Sequence, residues 1–365
     1  MEVLAAFARA QHTPVSVETL DLDGPRDGEV LIEMRASGIC HSDLSLIDGS
    51  RDWTDYPIVL GHEGAGIVLE CGKGVSGLKL GDHVIPVAIP ECGTCPACRS
   101  RRTNLCDLYF KPVSRRPFSR HGRPVRAFCE LGTFAEKIVV RDIQVTKIDK
   151  RAPLDVVCCL GCAGATGLGA ALFTAKMEAG TSAAVFGLGG IGLNVVEGAR
   201  IAGATTIVGI DTNPSKEPFA RAAGITHFVD PSTTHDIVGL IREITGGGAD
   251  YSFECVGSAA ILRQAVECTR IGWGTTVMLG ILPNTQEVAL RPRSLQEGRR
   301  LMGSYLGNVK SRSELPQLVD LYLEGRVSLN NLISHRMGLA EIGRGFELLA
   351  SGVARRVVVD LQSGR

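Results

Sequence analysis

The run Val185-Phe186-Gly187-Leu188-Gly189-Gly190-Ile191-Gly192 carries the pattern G-x-G-x-x-G on Gly187, Gly189 and Gly192. A glycine triplet by itself is weak evidence, so the flanks decide its reading. Ahead of it, Ala183 to Phe186 is a short apolar run of the kind a buried strand requires, and behind it Ile191 to Ala202 has helical spacing. In that setting Gly187 permits a tight turn, Gly189 lets the backbone approach a pyrophosphate, and Gly192 lets the helix pack closely on the sheet. The helix N-terminus, with Gly190 and Ile191 in its first turn, then faces the phosphates. Nineteen residues past Gly192, Asp211 ends the run Ile207-Val208-Gly209-Ile210-Asp211. A carboxylate there binds the adenosine ribose hydroxyls and repels a 2′-phosphate, so the predicted cofactor is NAD rather than NADP.

Outward from this motif, strand and helix patterns keep alternating: Thr206 to Ile210, Ser215 to Ala223, His227 to Val229, Asp236 to Thr245, Asp250 to Cys255, Ala259 to Cys268 and Thr275 to Leu279. Such alternation builds an α/β domain, a doubly wound parallel sheet covered by helices. Residues 1 to about 160 read differently. Short β-rich runs (Glu29 to Met34, Gly66 to Glu70, His83 to Val87, Phe134 to Val140) are separated by glycine and proline turns, which predicts a mostly antiparallel β domain. After about Tyr305, two helical stretches (Ser313 to Glu324 and Leu339 to Ser351) and a strand from Arg356 to Leu361 return the chain to that first domain.

Lys plus Arg and Asp plus Glu both number 39 in 365 residues, which removes any electrostatic case for nucleic acid or an anionic membrane and favours a small-molecule partner. No apolar run approaches the roughly 20 residues that span a bilayer, and the first residues lack a basic region followed by an apolar stretch; the expected location is the cytoplasm. Twelve cysteines in such a chain favour metal over disulfides. Four of them, Cys92, Cys95, Cys98 and Cys106, have the spacing C-x2-C-x2-C-x7-C, with glycine and proline between ligands. Four thiolates close a tetrahedral zinc shell and leave no position for substrate, so this is predicted to be a structural zinc; an iron–sulfur cluster is the alternative. Cys40 and His62, each among glycines, are ambiguous alone.

Taken together and in this order, Gly38-Ile39-Cys40-His41-Ser42-Asp43, Gly61-His62-Glu63-Gly64-Ala65-Gly66, the four-cysteine lobe, Gly161-Cys162-Ala163-Gly164 and the dinucleotide motif resemble the zinc-containing alcohol dehydrogenases of the medium-chain superfamily over essentially the whole chain. The resemblance implies a β-rich GroES-like catalytic domain over 1–163 carrying a zinc lobe at about 91–107, a Rossmann NAD-binding domain over 164–304, and a return over 305–365. It implies two zincs, with Cys40, His62 and Cys162 holding the catalytic one, Glu63 close to it, and Asp43 orienting His62. A cysteine at 162, where polyol dehydrogenases of the superfamily have glutamate, points to simple or activated alcohols. In the implied chemistry zinc is the Lewis acid and NAD the hydride acceptor. Ser42 takes the alcohol proton; where many relatives continue the relay with histidine, this chain has Ser45. His41 matches a pyrophosphate contact, with a role as substitute base the other reading. Arg356 matches a second pyrophosphate contact, with Arg355 a one-residue alternative, and Lys216 and Val256 are further cofactor positions.

Between Cys106 and Gly132 lies Ser114-Arg115-Arg116-Pro117-Phe118-Ser119-Arg120-His121-Gly122, read as a long arginine-bearing loop. Its length resembles the usually dimeric branch that includes thiol-dependent formaldehyde dehydrogenases. In that branch an arginine near this loop reads an anionic thiol adduct, though Pro117 falls where direct alignment places it. A homodimer is therefore expected, and two substrates stay open: an alcohol, or a hydroxymethyl-thiol adduct. A zinc-stabilised nucleotide-binding protein without catalysis is the remote alternative.

Overall fold

The computed structural model describes residues 1–362 apart from 51–53, 101, 112, 114 and 284; Ser114 of the arginine-bearing stretch thus lies outside the described residues. The chain forms two compact units, Met1–Cys162 with Lys310–Arg365, and Ala163–Val309.

In the first unit, one long strand organises everything else. Glu29–Ile39 pairs with Glu63–Cys71 along most of its length, with Lys137–Arg141 at its start and with Val357–Asp360 at its end. The sheet has seven strands, extending through His83–Pro86 to Val145–Lys147 on one side and through Val357–Asp360 to His335–Gly338 on the other. Val30, Ile32 and Met34, alternate residues of the central strand, are fully buried, as period-two side chains facing a core must be. A second set of strands, Glu2–Ala8, Ser16–Leu22, Phe118–Arg120, Arg123–Ala127 and Ile58–Val59, closes a barrel. Phe7, Leu20, Leu22 and Phe118 share one continuous apolar core with the sheet.

The supposed loop through Pro117 is therefore partly a hairpin. His121 (φ 49°) and Gly122 (φ 72°) are both left-handed, the backbone that a two-residue hairpin connection demands. Phe118 pairs with Val125 and Arg120 with Arg123. The arginines at 120, 123 and 126 alternate with buried Val125, which is why the stretch is rich in charge and still β-structured.

The second unit is a six-stranded, fully parallel sheet. Its spatial order is His227–Val229, Thr206–Ile210, Ser182–Phe186, Tyr251–Glu254, Thr275–Met278, Arg300–Gly303. Numbered along the chain, that order is 3-2-1-4-5-6, the doubly wound arrangement in which the first and fourth strands lie side by side and the connections part to either side, leaving a crevice at their C-terminal ends. The predicted α/β class is correct. The sixth strand, Arg300–Gly303, is absent from the pattern reading because all four of its residues are exposed and give no periodic apolar signal.

Candidate functional site

The register of the first unit's sheet assembles one cluster. Antiparallel pairing sets Gly38 opposite Glu63, so the residue after the first strand, Cys40, and the residue before the second, His62, emerge together. The third member arrives from a buried 3-10 turn, Cys158–Gly161, which packs on the strand begun by Glu63. A side chain on Gly161 would sit 3.3 Å from the Glu63 Cα, so glycine keeps this approach close. Cys158 and Cys159 stay in the core while Cys162 turns out of it, which separates the ligand candidate from its neighbours. The side-chain donors of Cys40, His62, Glu63 and Cys162 all lie within 4.8 Å of one another.

Around them the residues are fixed by buried polar contacts. Asp43, fully buried in the first turn of the helix His41–Ile47, accepts the Gly61 N–H on Oδ1 at 2.8 Å. Its Oδ2 accepts the Cys40 N–H at 3.3 Å and lies 3.2 Å from His62 Nδ1, at an angle short of a straight hydrogen bond. The far edge of the His62 ring meets Phe128 edge-on, with centroids 5.0 Å apart. Burial disfavours the His62 cation, but the charges of Asp43, Cys162 and Cys40 outweigh it and hold the imidazole well above its ordinary range. Cys162 shares its thiol proton with Cys40, which holds the Cys40 thiol well below the usual value and pushes Cys162 up. These are groups waiting on positive charge, and a divalent cation among them stabilises both thiolates at once.

Glu63 and Arg356 form a buried ion pair here. Arg356 Nη1 donates to Glu63 Oε2 at 3.0 Å, to Oε1 at 3.2 Å and to the Ile39 carbonyl at 2.8 Å. Pairing of Val357 with Ile39 brings the arginine there. With its carboxylate taken by Arg356, Glu63 stands beside the cluster, and Cys40, His62 and Cys162 form a set of two sulfurs and one nitrogen. Three such ligands and an open fourth position are what a catalytic zinc requires. Arg355 turns away, its Nε donating to the Asn331 carbonyl at 3.2 Å. His41 is exposed at the helix start, and Ser42 is half-buried beside Cys40. The Ser45 hydroxyl donates back to the Ser42 carbonyl at 2.8 Å. Phe128 and Cys129 adjoin this site, and no sequence pattern points to Phe128. Cys129 (φ 53°) and Glu130 (φ 61°) are consecutive left-handed residues, and burial, with the nearby Asp43 and Cys40 charges, outweighs His62 to push the Cys129 thiol up to about 11.

The second cluster is separate. Cys92, Cys95, Cys98 and Cys106 gather their sulfurs within 4.8 Å, with Cys92 to Cys98 at 3.9 Å and Cys95 to Cys106 at 3.8 Å. A disulfide brings sulfurs to about 2.05 Å; a tetrahedron of zinc–sulfur bonds of about 2.3 Å has edges near 3.8 Å. The spacing therefore fits one zinc ion. A cluster of several irons would splay the thiolates further apart. The Cys95 and Cys98 amides donate to the Cys92 and Cys95 sulfurs at 3.4 Å, which spreads the negative charge of metal-bound thiolates. Lys310 Nζ donates to the Cys98 carbonyl at 2.7 Å, and Glu91 accepts the Arg312 and Ser313 amides at 2.6 and 3.0 Å, so the return segment anchors this lobe. Those contacts explain why the helix begins at Leu315 rather than Ser313.

In the second unit the fingerprint has the geometry a dinucleotide needs. Gly187 has φ 90°, and a Cβ on Gly192 would fall on the Gly187 carbonyl oxygen, while a Cβ on Gly189 would meet nothing within 4 Å. The helix Gly190–Ile201 begins there. Asp211, at the end of the next strand, accepts the Leu188 amide at 2.8 Å and pairs with Lys216 Nζ at 2.9 Å. Val256 is exposed beside this turn.

Known proteins share this arrangement. Residues 26–150 match the alcohol dehydrogenase GroES-like domain, and residues 190–324 match the zinc-binding dehydrogenase family. The chain is 41% identical over 373 residues to an S-(hydroxymethyl)glutathione dehydrogenase of Paracoccus denitrificans, covering 98% of this chain and 100% of that one. A protein of the same name from Synechocystis is 42% identical over 368 residues, again covering 98% and 100%. Among solved structures, an alcohol dehydrogenase zinc-binding domain protein from Burkholderia ambifaria superposes with TM-score 0.93 at 34% identity, and benzyl alcohol dehydrogenase from Acinetobacter calcoaceticus with TM-score 0.91 at 28%; each match covers 99% of both chains. The two cysteine-rich clusters, the doubly wound sheet and relatives that match from end to end make this chain a member of the zinc-dependent, NAD-linked alcohol dehydrogenases.

Proposed function

We propose that Cys40, His62 and Cys162 hold the catalytic zinc, that Cys92, Cys95, Cys98 and Cys106 hold the structural one, and that the physiological substrate is a hydroxymethyl-thiol adduct, with simple primary alcohols as the second reading. The observation that carries the catalytic assignment is the convergence of the strand register, which brings Cys40 and His62 together, with the Cys158–Gly161 turn, which adds Cys162, so that two sulfurs and one nitrogen meet. Zinc, when bound, supplies Lewis acidity toward the alcohol oxygen, and NAD supplies the hydride acceptor.

The chain's own part is orientation and proton handling. Asp43 fixes the face that His62 presents. Ser42 Oγ accepts the alcohol proton as it passes its own onward; because the Ser45 hydroxyl is committed to the Ser42 carbonyl, it does not extend the relay, and the adjacent, exposed His41 is the base assigned to receive it. Arg356, buried on Glu63, sets the charge beside the ligands and is the arginine assigned to the pyrophosphate. Gly187, Gly189, Gly190, Ile191, Gly192, Asp211, Lys216 and Val256 form the NAD side, and Asp211 supports NAD over NADP.

The adduct reading is supported by the relatives and by a cavity of about 470 Å³ whose lining includes Tyr109, Phe110, Lys111, Arg116, Arg126 and Arg141. Its wall also carries Ala127 and Glu130, which bracket the Phe128 and Cys129 beside the zinc ligands. Arg115 is held by Glu29 and by the Gly24 carbonyl, and Arg120 by Glu18. Arg116 shares the exposed Asp55 with Arg126, at 3.3 and 2.9 Å, so two guanidinium groups there divide one carboxylate. Arg116 is thus the arginine suited to an anionic thiol.

A homodimer is supported by the exposed edge strand Arg300–Gly303, which has a sheet neighbour on one side only and bears exposed Leu301 and Met302. Six of the twelve cysteines stand in metal-ligand clusters rather than in disulfides, which fits a reducing, cytoplasmic setting; among the described residues no single helix is long and apolar enough to cross a membrane. The deciding experiment is a panel of primary alcohols and formaldehyde with NAD and NADP, with and without low-molecular-weight thiols. Formaldehyde turnover only with thiol supports the adduct, turnover of simple alcohols without thiol supports the second reading, and no NAD reduction under any condition overturns both.

A further inference from the structure

Glu254 ends the strand Tyr251–Glu254, next to the Ser182–Phe186 strand that leads into the glycine turn, so it sits at the point where the sheet's connections diverge. It is fully buried. Its Oε1 accepts the amides of Gly257 at 2.7 Å, Val256 at 2.9 Å and Ser258 at 3.4 Å, the last immediately preceding the helix Ala259–Glu267. Its Oε2 has no hydrogen-bond partner, and among the described residues no lysine, arginine or histidine pairs with it. The charge is felt locally: burial, and after it the Glu254 carboxylate, push the neighbouring Cys255 thiol well up.

The surrounding backbone is built to accommodate this carboxylate. Gly257 has φ 90°, and a Cβ there would meet the Ile281 carbonyl oxygen at 2.6 Å. A Cβ on Gly280 would strike the Gly257 amide and lie 2.5 Å from Glu254 Oε2. On the other side, a Cβ on Gly187 would lie 2.7 Å from Val256 Cγ2. The segment 255–258 is therefore clamped between the phosphate-binding turn and the Gly280 segment, and the Glu254 side chain bonds three of its amides from within.

A dipole-stabilised anion with no cation beside it exerts a field on whatever lies in the crevice. NAD carries a positive nicotinamide that is neutral in NADH, while the rest of the two molecules is alike. We infer that Glu254 is a positioning residue that both shapes the Val256 segment for the dinucleotide and, as a buried anion at the crevice, favours the oxidised over the reduced cofactor. This rests on the reading of the Gly187–Gly192 turn and Val256 as the NAD site.

The test is equilibrium titration of the zinc-loaded protein with NAD and with NADH, followed by protein fluorescence or calorimetry, in wild type, Glu254→Gln and Glu254→Asp. Glutamine keeps the shape and an amide-accepting oxygen but removes the charge. It is expected to weaken NAD roughly fivefold more than NADH, the scale of one charge felt through a largely water-screened path. Aspartate keeps the charge and retracts it by one methylene, so it weakens both cofactors while holding their ratio within about twofold. Equal changes for the two cofactors in Glu254→Gln, or no change in either, overturn the inference and leave the NAD site standing. Should Glu254→Gln fail to fold, a Glu254→Asp ratio shifted as far as fivefold overturns it, and a preserved ratio supports it. Wild type that binds neither cofactor sinks the NAD reading itself, and this inference with it.

Discussion

Replacing Asp43 by asparagine tests the catalytic centre where the geometry is most explicit. The side chain is fully buried and has three donors around it: the Gly61 amide at 2.8 Å, the Cys40 amide at 3.3 Å and His62 Nδ1 at 3.2 Å. Asparagine has the same shape. If its carbonyl stays on Gly61, its NH2 group faces Cys40 and His62, so donors oppose donors at both zinc-bearing residues. A hydrogen bond to a charged group contributes about 1.5–3 kcal/mol. The Cys40 contact is long and the His62 contact bent, so the combined loss falls near the lower end, about 2 kcal/mol. That corresponds to roughly a 30-fold loss of zinc affinity, within the 10–100-fold range for groups that orient a metal-binding histidine. The assay is competition with a chromophoric chelator, monitored for two zinc classes per chain. The four-cysteine zinc is the internal reference, because Asp43 makes no contact with it. Both classes retained within twofold of wild type would refute the argument, as would equal weakening of both, which would point to general unfolding.

Three further outcomes follow from buried charge and thiolate placement. Arg356→Met leaves Glu63 buried without its cation and is expected to cost about 3–5 kcal/mol in chemical denaturation of the zinc-loaded protein; the double variant with Glu63→Gln recovers much of that loss, and a single-variant cost below about 1 kcal/mol contradicts the pairing. Cys98→Ser lowers the zinc content of purified protein by one ion per chain while NAD binding persists, and an unchanged content by elemental analysis argues against the lobe as a zinc site. Asp82 is buried. Burial raises its pKa, but its contacts with Lys147 Nζ at 2.9 Å and the Lys79 amide at 3.0 Å outweigh that and hold it below the ordinary carboxylate value. Since the folded value is the lower one, Asp82 adds stability above about pH 4 and loses it as pH falls through the folded value. Asp82→Asn should therefore be less stable than wild type near neutrality and converge with it in strong acid; a gap that persists or widens in acid contradicts the assignment.

The doubly wound sheet was largely legible because four of its strands between Ser182 and Met278, Ser182–Phe186, Thr206–Ile210, Tyr251–Glu254 and Thr275–Met278, are almost wholly buried, so that short apolar runs alternate with helical spacing. The barrel was not. Two of its five strands are short and lie among charged residues: Phe118–Arg120 and Arg123–Ala127 bury only Phe118, Val125 and Ala127. The hairpin signal was present in His121-Gly122, but histidine in a left-handed position is not the usual asparagine or aspartate, and the arginines on either side resemble a solvated loop. The edge strand Arg300–Gly303 has no buried residue at all, and only the parallel pairing of Thr275 with Arg300 and Thr276 with Leu301 defines it.

The two metal sites differ in the same physical way. The four-cysteine lobe is local: all its ligands fall within fifteen residues, the intervening glycine and proline make the wrap, and spacing alone identifies it. The catalytic set spans residues 40 to 162, and no local pattern links its members. What links them is the pairing of Gly38 with Glu63, of Ile39 with Val357, and the approach of Gly161 to Glu63, none of which leaves a periodic trace in the chain. That same convergence explains the position of Arg356. Read along the chain, it is one of two adjacent arginines near the end, either of which could reach a phosphate. In the sheet, the residue before Val357 must lie against the end of the strand that precedes Cys40, and among the described residues the buried Glu63 is the carboxylate bonded to it there. A charge so placed is neutralised before any cofactor arrives, so its first contribution is to keep a carboxylate from competing for the metal among three neutral or thiolate ligands, and any contact it makes with pyrophosphate is drawn from its remaining nitrogens.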